Sequence, residues 1–107
     1  MAFEIANSPC SWGVDYADSP DNPDPKKVFR EIAEAGYEFS ELGPYGYLQP
    51  DPQKILDFTE NLNLKIIGSF IFDNLHIESE HQRIKKTISK SCALLERINS
   101  KVFVIID

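Results

Sequence analysis

A chain of 107 residues has room for one domain, and its 42% hydrophobic, 26% charged composition reads as globular and water-soluble rather than disordered. The formal net charge of −6 argues against a nucleic-acid partner, because affinity for phosphates is built mainly from Lys and Arg. No apolar run approaches the roughly 20 residues of a membrane-spanning helix, and "MAFEIANSP" lacks the basic-then-apolar order of a secretory signal, so the expected setting is cytoplasmic, with no membrane partner.

The first extended run is "FEIANSP", followed by the loop "CSWGVDYADSPDNP". Next, "DPKKVFREIAEAG" predicts a helix, with Asp24 as cap, Pro25 in the first turn and Gly36 at the end. Val28, Phe29, Ile32 and Ala33 recur at helical spacing and form one apolar stripe. A second extended run, "YEFSELG", leads into the loop "GPYGYLQP". "DPQKILDFTENLN" then repeats the helix grammar, with Asp51 capping, Pro52 next, and Ile55, Phe58, Thr59 and Leu62 along one side. The third run, "LKIIGSFIF", and the loop "DNLHIESE" precede a helix expected from about Ser79 to Asn99. Ser79 and Gln82 suit a capping box, and Ile84, Ile88, Cys92, Leu95 and Ile98 are the expected core face. The chain closes on "KVFVIID". Cys10 and Cys92 lie far apart without CxxC spacing, as expected of reduced thiols.

Strand and helix therefore alternate as βαβαβαβ, which predicts a parallel α/β sheet with helices on its outside. The last two extended runs are almost continuously apolar, the pattern of strands covered on both faces. In such folds the loops after the carboxyl ends of strands hold ligands. Those three loops are rich in Trp, Tyr, Asp, His and Asn, whereas the opposite loops are short and plain. Function is expected on one rim. A sheet ending at Asp107 exposes an apolar edge, so the chain reads as an unfinished repeat.

Glu41, at the end of the second run, is the candidate catalytic group, as a general base or as a carboxylate orienting a polyol. The alternative is an exposed loop cap. Trp12 offers an aromatic face suited to a sugar ring, or else a core anchor. Tyr45 and Tyr47 either hydrogen-bond a polar ligand or pack their loop against the rim. His76 is read as a polar rim contact and His81 as an exposed helix residue. The two histidines lack HExxH spacing, and His76 with Glu78 lacks the PCxxC partner of a zinc deaminase, so no metal ligand is assigned. GxGxxG, GxxxxGK and GxSxG motifs are absent.

"IANSPCSWGV", "EIAEAGYEFSELGPYGYLQPDP" and "IIGSFIFDNLH" resemble the N-terminal part of the inosose dehydratase-like group, within the sugar phosphate isomerase/epimerase superfamily. The resemblance implies a xylose isomerase-like TIM (β/α)8 barrel, of which residues 1–107 form the N-terminal half, with four strands and three helices and the C-terminal half absent. It implies lyase or isomerase chemistry of inositol catabolism: enediolate formation on a keto-polyol or keto-sugar, with loss of water, assisted by divalent Mn, Co or Mg. Trp12, Glu41, Tyr45 and His76 map onto the pocket wall. The metal ligands of the group fall beyond residue 107, so no metal is expected to bind tightly to this chain alone. The competing reading is a truncated, non-catalytic barrel module. Either a homodimer or the missing C-terminal half is the expected cover for the fourth strand. The apurinic-site endonuclease branch of the superfamily fits least, given the acidic rim.

Overall fold

The computed structural model describes residues 3–107. Four strands, β1 (Ala6–Asn7), β2 (Phe39–Glu41), β3 (Lys65–Phe72) and β4 (Val102–Ile106), alternate with three helices, α1 (Pro25–Glu34), α2 (Pro52–Asn61) and α3 (His81–Arg97). All three pairings are parallel and the sheet order is β1-β2-β3-β4. This is the α/β arrangement of half a (β/α)8 barrel: each strand lies beside the next in sequence, linked through a helix. No helix among the described residues is long and apolar enough to cross a membrane.

The helix starts follow the Asp–Pro grammar. Asp24 accepts from the Lys27 amide, and Asp51 accepts from the Gln53 and Lys54 amides at 3.1 and 3.2 Å. Each carboxylate satisfies N–H groups that have no partner inside the helix and also complements the positive end of its dipole. Asp51→Ala is expected to cost about 1 kcal/mol in a urea titration.

The third helix begins differently from the sequence expectation. Glu78–Glu80 form a 3-10 turn and α3 starts at His81, with no side-chain cap bond, so Ser79 and Gln82 do not make a capping box. The extra turn displaces Ser79 from the position at which its hydroxyl could reach a free amide. The core stripe is also rotated. Ile84, Ser91, Leu94, Leu95 and Ile98 are buried, whereas Cys92 is exposed, because Ser91 takes the inward position one residue earlier. The Ser91 hydroxyl donates to the Thr87 carbonyl, which lets a small polar residue sit there. Both cysteines are free thiols.

Between helices and sheet lies the core, where Val28, Phe29 and Ile32 of α1 are fully buried beside Ile55 of α2 and Leu94 and Leu95 of α3. Ser40 and Ile66 point toward this side; Glu41, Gly68, Phe70, Phe72, Val102, Val104 and Ile106 alternate onto the opposite face. Gly68 is required there: a Cβ would stand 2.5 Å from the Val102 carbonyl oxygen, so β3 and β4 could not approach as they do.

One cavity of about 230 Å³ is bordered by Ala6 and Asn7, Glu41, Gly68, and Val102 and Val104, residues of all four strands. Burial of the two apolar strands differs from the sequence expectation. Gly68 to Ile71 of β3 are buried, whereas Val102, Val104 and Ile105 of the edge strand β4 are 53%, 41% and 52% exposed.

Candidate functional site

The candidate site gathers at the carboxyl ends of the strands. After β1, Ser8 caps a 3-10 turn over Pro9–Trp12, and Gly13 ends it in the left-handed region at φ 84°. The chain then folds across the sheet, and Tyr16 meets Phe72 edge-on with ring centroids 5.6 Å apart. After β2, Gly43 takes φ 88° and passes so close to Pro9 that a Cβ would lie 3.2 Å from its ring. The Ser69 hydroxyl of β3 donates to the Gly43 carbonyl at 2.6 Å and fixes this loop from below. The glycines, prolines and Ser69 thus lock the two loops to each other and to the sheet.

Glu41 is at the centre of this arrangement. The β2–β3 register shifts between Ser40 and Glu41, so Glu41 pairs with Gly68 and leaves Ile67 as the extra residue. Such a bulge re-aims the side chain that follows it. Glu41 borders the four-strand cavity and a second one of about 220 Å³, shared with Cys10, Asp15, Phe70, Phe72, Val104 and Ile106. Its carboxyl is half-buried among mostly apolar side chains, and that burial pushes its pKa above the ordinary carboxylate value. It is suited to receive and return a proton nearer neutral pH than an exposed Glu.

Tyr45 is half-buried and borders a neighbouring cavity of about 230 Å³ with Asp15, Tyr16, Asp73 and Arg83. Asp15, Phe70 and Phe72 belong to both the Tyr45 and the Glu41 cavities, so the two open onto one rim. The other predicted residues are engaged elsewhere. Trp12 points its indole N–H at Glu31 of α1, donating at 2.7 Å, and borders neither Glu41 cavity. Tyr47 is buried and its hydroxyl donates to the Pro23 carbonyl at 2.6 Å. Burial, reinforced by the Asp24 charge, pushes that phenol up to about 12. Tyr47→Phe is expected to lower stability by about 1 kcal/mol, the net worth of one hydrogen bond, in thermal unfolding.

His76 is exposed at the outer edge of the rim, with Nδ1 2.9 Å from Asp107 Oδ1. That carboxylate also accepts from the Leu75 amide, and its hydrogen bond with His76 is the main cause holding its pKa below the ordinary value. His81, expected to be exposed, is half-buried instead, with Nε2 2.7 Å from the Leu75 carbonyl oxygen. At the end of β3, Arg83 grips Asp73 through two bonds of 2.8 Å and Glu80 through one of 2.7 Å. The Arg83 guanidinium is the main reason the Asp73 carboxyl lies below the ordinary range.

Cys10, Asp15 and Arg83 are residues of this rim that sequence reasoning did not single out. Asp15 lay inside a loop already marked by its polar content, but nothing in the order of residues separated it from Asp18 or Asp21. A divalent cation fits this donor set poorly. Asp73 is held by Arg83, Asp107 is bonded to His76, and the described residues include no group of three or more His, Cys, Asp or Glu placed to hold a metal ion. Neither a family model nor a curated protein matches this sequence.

Proposed function

We propose that this chain forms the Glu41-bearing wall of a polyol pocket in a barrel resembling the inosose dehydratases, and that Glu41 moves a proton at the carbon beside the carbonyl of a keto-polyol. The observation that carries this reading is the setting of Glu41: a half-buried carboxyl of raised pKa, at the end of a parallel strand, bordering two cavities. A base tuned toward neutral pH abstracts a proton more effectively than one that holds protons weakly. Phe70 and Phe72 give the apolar C–H face of a ring a surface to lie on, and Asp15 can accept hydroxyl hydrogen bonds. The divalent cation of the resembling group supplies carbonyl polarisation when bound; the donors described here do not fit one, and the proposed role of Glu41 stands apart from it.

A second reading, a non-catalytic module that associates with a partner, is favoured by the exposure of Val102, Val104 and Ile105. A titration with 2-keto-myo-inositol followed by NMR separates the two. The polyol reading expects saturable shifts confined to Asp15, Glu41, Phe70, Phe72 and Val104. Absence of shifts at millimolar ligand overturns it.

A further inference from the structure

We infer that the Tyr45 cavity is a binding site for a small organic cation, an ammonium group with an apolar coat, taken up among Tyr16, Tyr45 and Phe72. Glu41 does not border this cavity, so the inference stands apart from the polyol reading. The cavity has a volume of about 230 Å³. It is built by the loops after β1, β2 and β3 together with the first turns of α3, and β4 contributes nothing to it.

The aromatic geometry selects the kind of ligand. Tyr16 and Phe72 stand at 83° to each other with centroids 5.6 Å apart. Rings so placed present two faces at nearly a right angle, and the face is the negative pole of each ring's quadrupole. Tyr45, from the loop after β2, brings a third ring to the same space. Aromatic rings gathered in this way attract a cation that is itself partly apolar, as aromatic cages attract quaternary ammonium groups.

Charge points in the same direction. Asp15, Asp18 and Asp73 border the cavity against a single cation, Arg83. Arg83 is already engaged, by both oxygens of Asp73 at 2.8 Å and by Glu80 at 2.7 Å. An anionic ligand would have to displace those carboxylates, which disfavours it. Among the described residues neither Asp15 nor Asp18 forms an ion pair, so their charge remains to meet an incoming ammonium. A divalent metal ion needs several oxygens converging at about 2.0–2.6 Å, and no group of that kind exists among the described residues. An organic ammonium makes no such demand, because its charge is spread over the carbons around the nitrogen.

Choline chloride is the probe, titrated into isotope-labelled protein at constant ionic strength and followed by NMR. Its uncharged isostere, 3,3-dimethyl-1-butanol, is the control. Choline is expected to give saturable shifts at Asp15, Tyr16, Tyr45 and Arg83 in the millimolar range, and the alcohol to bind several-fold more weakly. Tyr45→Leu keeps an apolar side chain and is expected to weaken choline binding about two- to fivefold, the loss of one exposed cation–π contact, without weakening the alcohol. Asp15 is exposed, so Asp15→Asn spares the fold and is expected to weaken choline alone. Absence of saturation at millimolar choline overturns the inference. Equal affinity for the alcohol also overturns it, because the cavity is then an apolar pocket indifferent to charge. A choline response unchanged in Tyr45→Leu overturns it as well, since surface carboxylates alone would then account for the binding.

Discussion

Phe29→Ala is expected to lower the stability of this chain by about 3–5 kcal/mol, read as a fall in the urea midpoint at unchanged slope. Phe29 has no exposed surface and lies in the α1 stripe between Val28 and Ile32. Its ring meets Phe58 of α2 edge-on, with centroids 6.2 Å apart and planes at 87°, so it couples two helices to each other as well as to the sheet. Truncation removes the transfer free energy of the ring and leaves a void that the packed core closes only in part. A domain of this length is stable by only about 5–15 kcal/mol, so the loss is a large part of the whole. Phe29→Leu keeps most of the volume and is expected to cost less than half as much. A midpoint shift below that of Asp51→Ala would mean that α1 and α2 are not packed through this ring.

The same side chain shows why the fold was legible in the sequence. Val28, Phe29 and Ile32 announce a helical stripe, and Asp24–Pro25 and Asp51–Pro52 announce where two helices begin, because the caps act on residues three positions away at most. Local rules of this reach need no knowledge of the rest of the chain. The start of α3 was misread for a related reason. Ser79-x-x-Gln82 satisfies the capping pattern, but the 3-10 turn is held by contacts farther off, the His81 ring on the Leu75 carbonyl and Arg83 on both Asp73 and Glu80. Cys92 was assigned inward because an apolar residue at i+4 from Ile88 fits the stripe; Ser91 fits it as well once its hydroxyl is spent on Thr87.

The rim was legible as a region and only partly as residues. Parallel topology puts the three polar loops at one end of the sheet, and Glu41 is at a strand terminus in that set. Which tyrosine faces a cavity depends on the path of the loop. Tyr45 and Tyr47 are two residues apart, yet Tyr47 reaches back to Pro23 and is buried, while Tyr45 borders the Asp15–Arg83 cavity. That path is set by the left-handed Gly43 against Pro9 and by Ser69 beneath it, contacts across 34 and 26 residues of sequence. The Trp12–Glu31 bond spans 19 residues and was equally invisible. Side-chain direction in this loop is a tertiary property, and no spacing rule in the sequence encodes it.

Glu41→Gln is expected to separate stability from chemistry. The folded state raises the Glu41 pKa above its ordinary value of 4.5, so the native protein holds this proton more tightly than the unfolded chain. Between the unfolded and the folded pKa the native state therefore binds more protons, and stability falls as pH rises through that window. Above the folded pKa the full cost of a charged, half-buried carboxylate remains. Glutamine cannot ionise, so the variant is expected to match the parent at pH below 4 and to be the more stable of the two at pH 7. Urea titrations at several pH values measure this directly. Chemistry is expected to move the other way. Gln has the shape of Glu but no basic oxygen, and loss of a positioned general base typically lowers a rate about 10²–10⁴-fold. Deuterium uptake from solvent at the carbon beside the carbonyl of 2-keto-myo-inositol reads that step without requiring loss of water. A fall in the rate of uptake with little change in the half-saturating ligand concentration assigns proton transfer to Glu41. Equal uptake in parent and variant, beside the expected gain in stability, would leave Glu41 as a buried carboxylate of the cavity wall and move the search for a base to Asp15, the other acid on the same cavity.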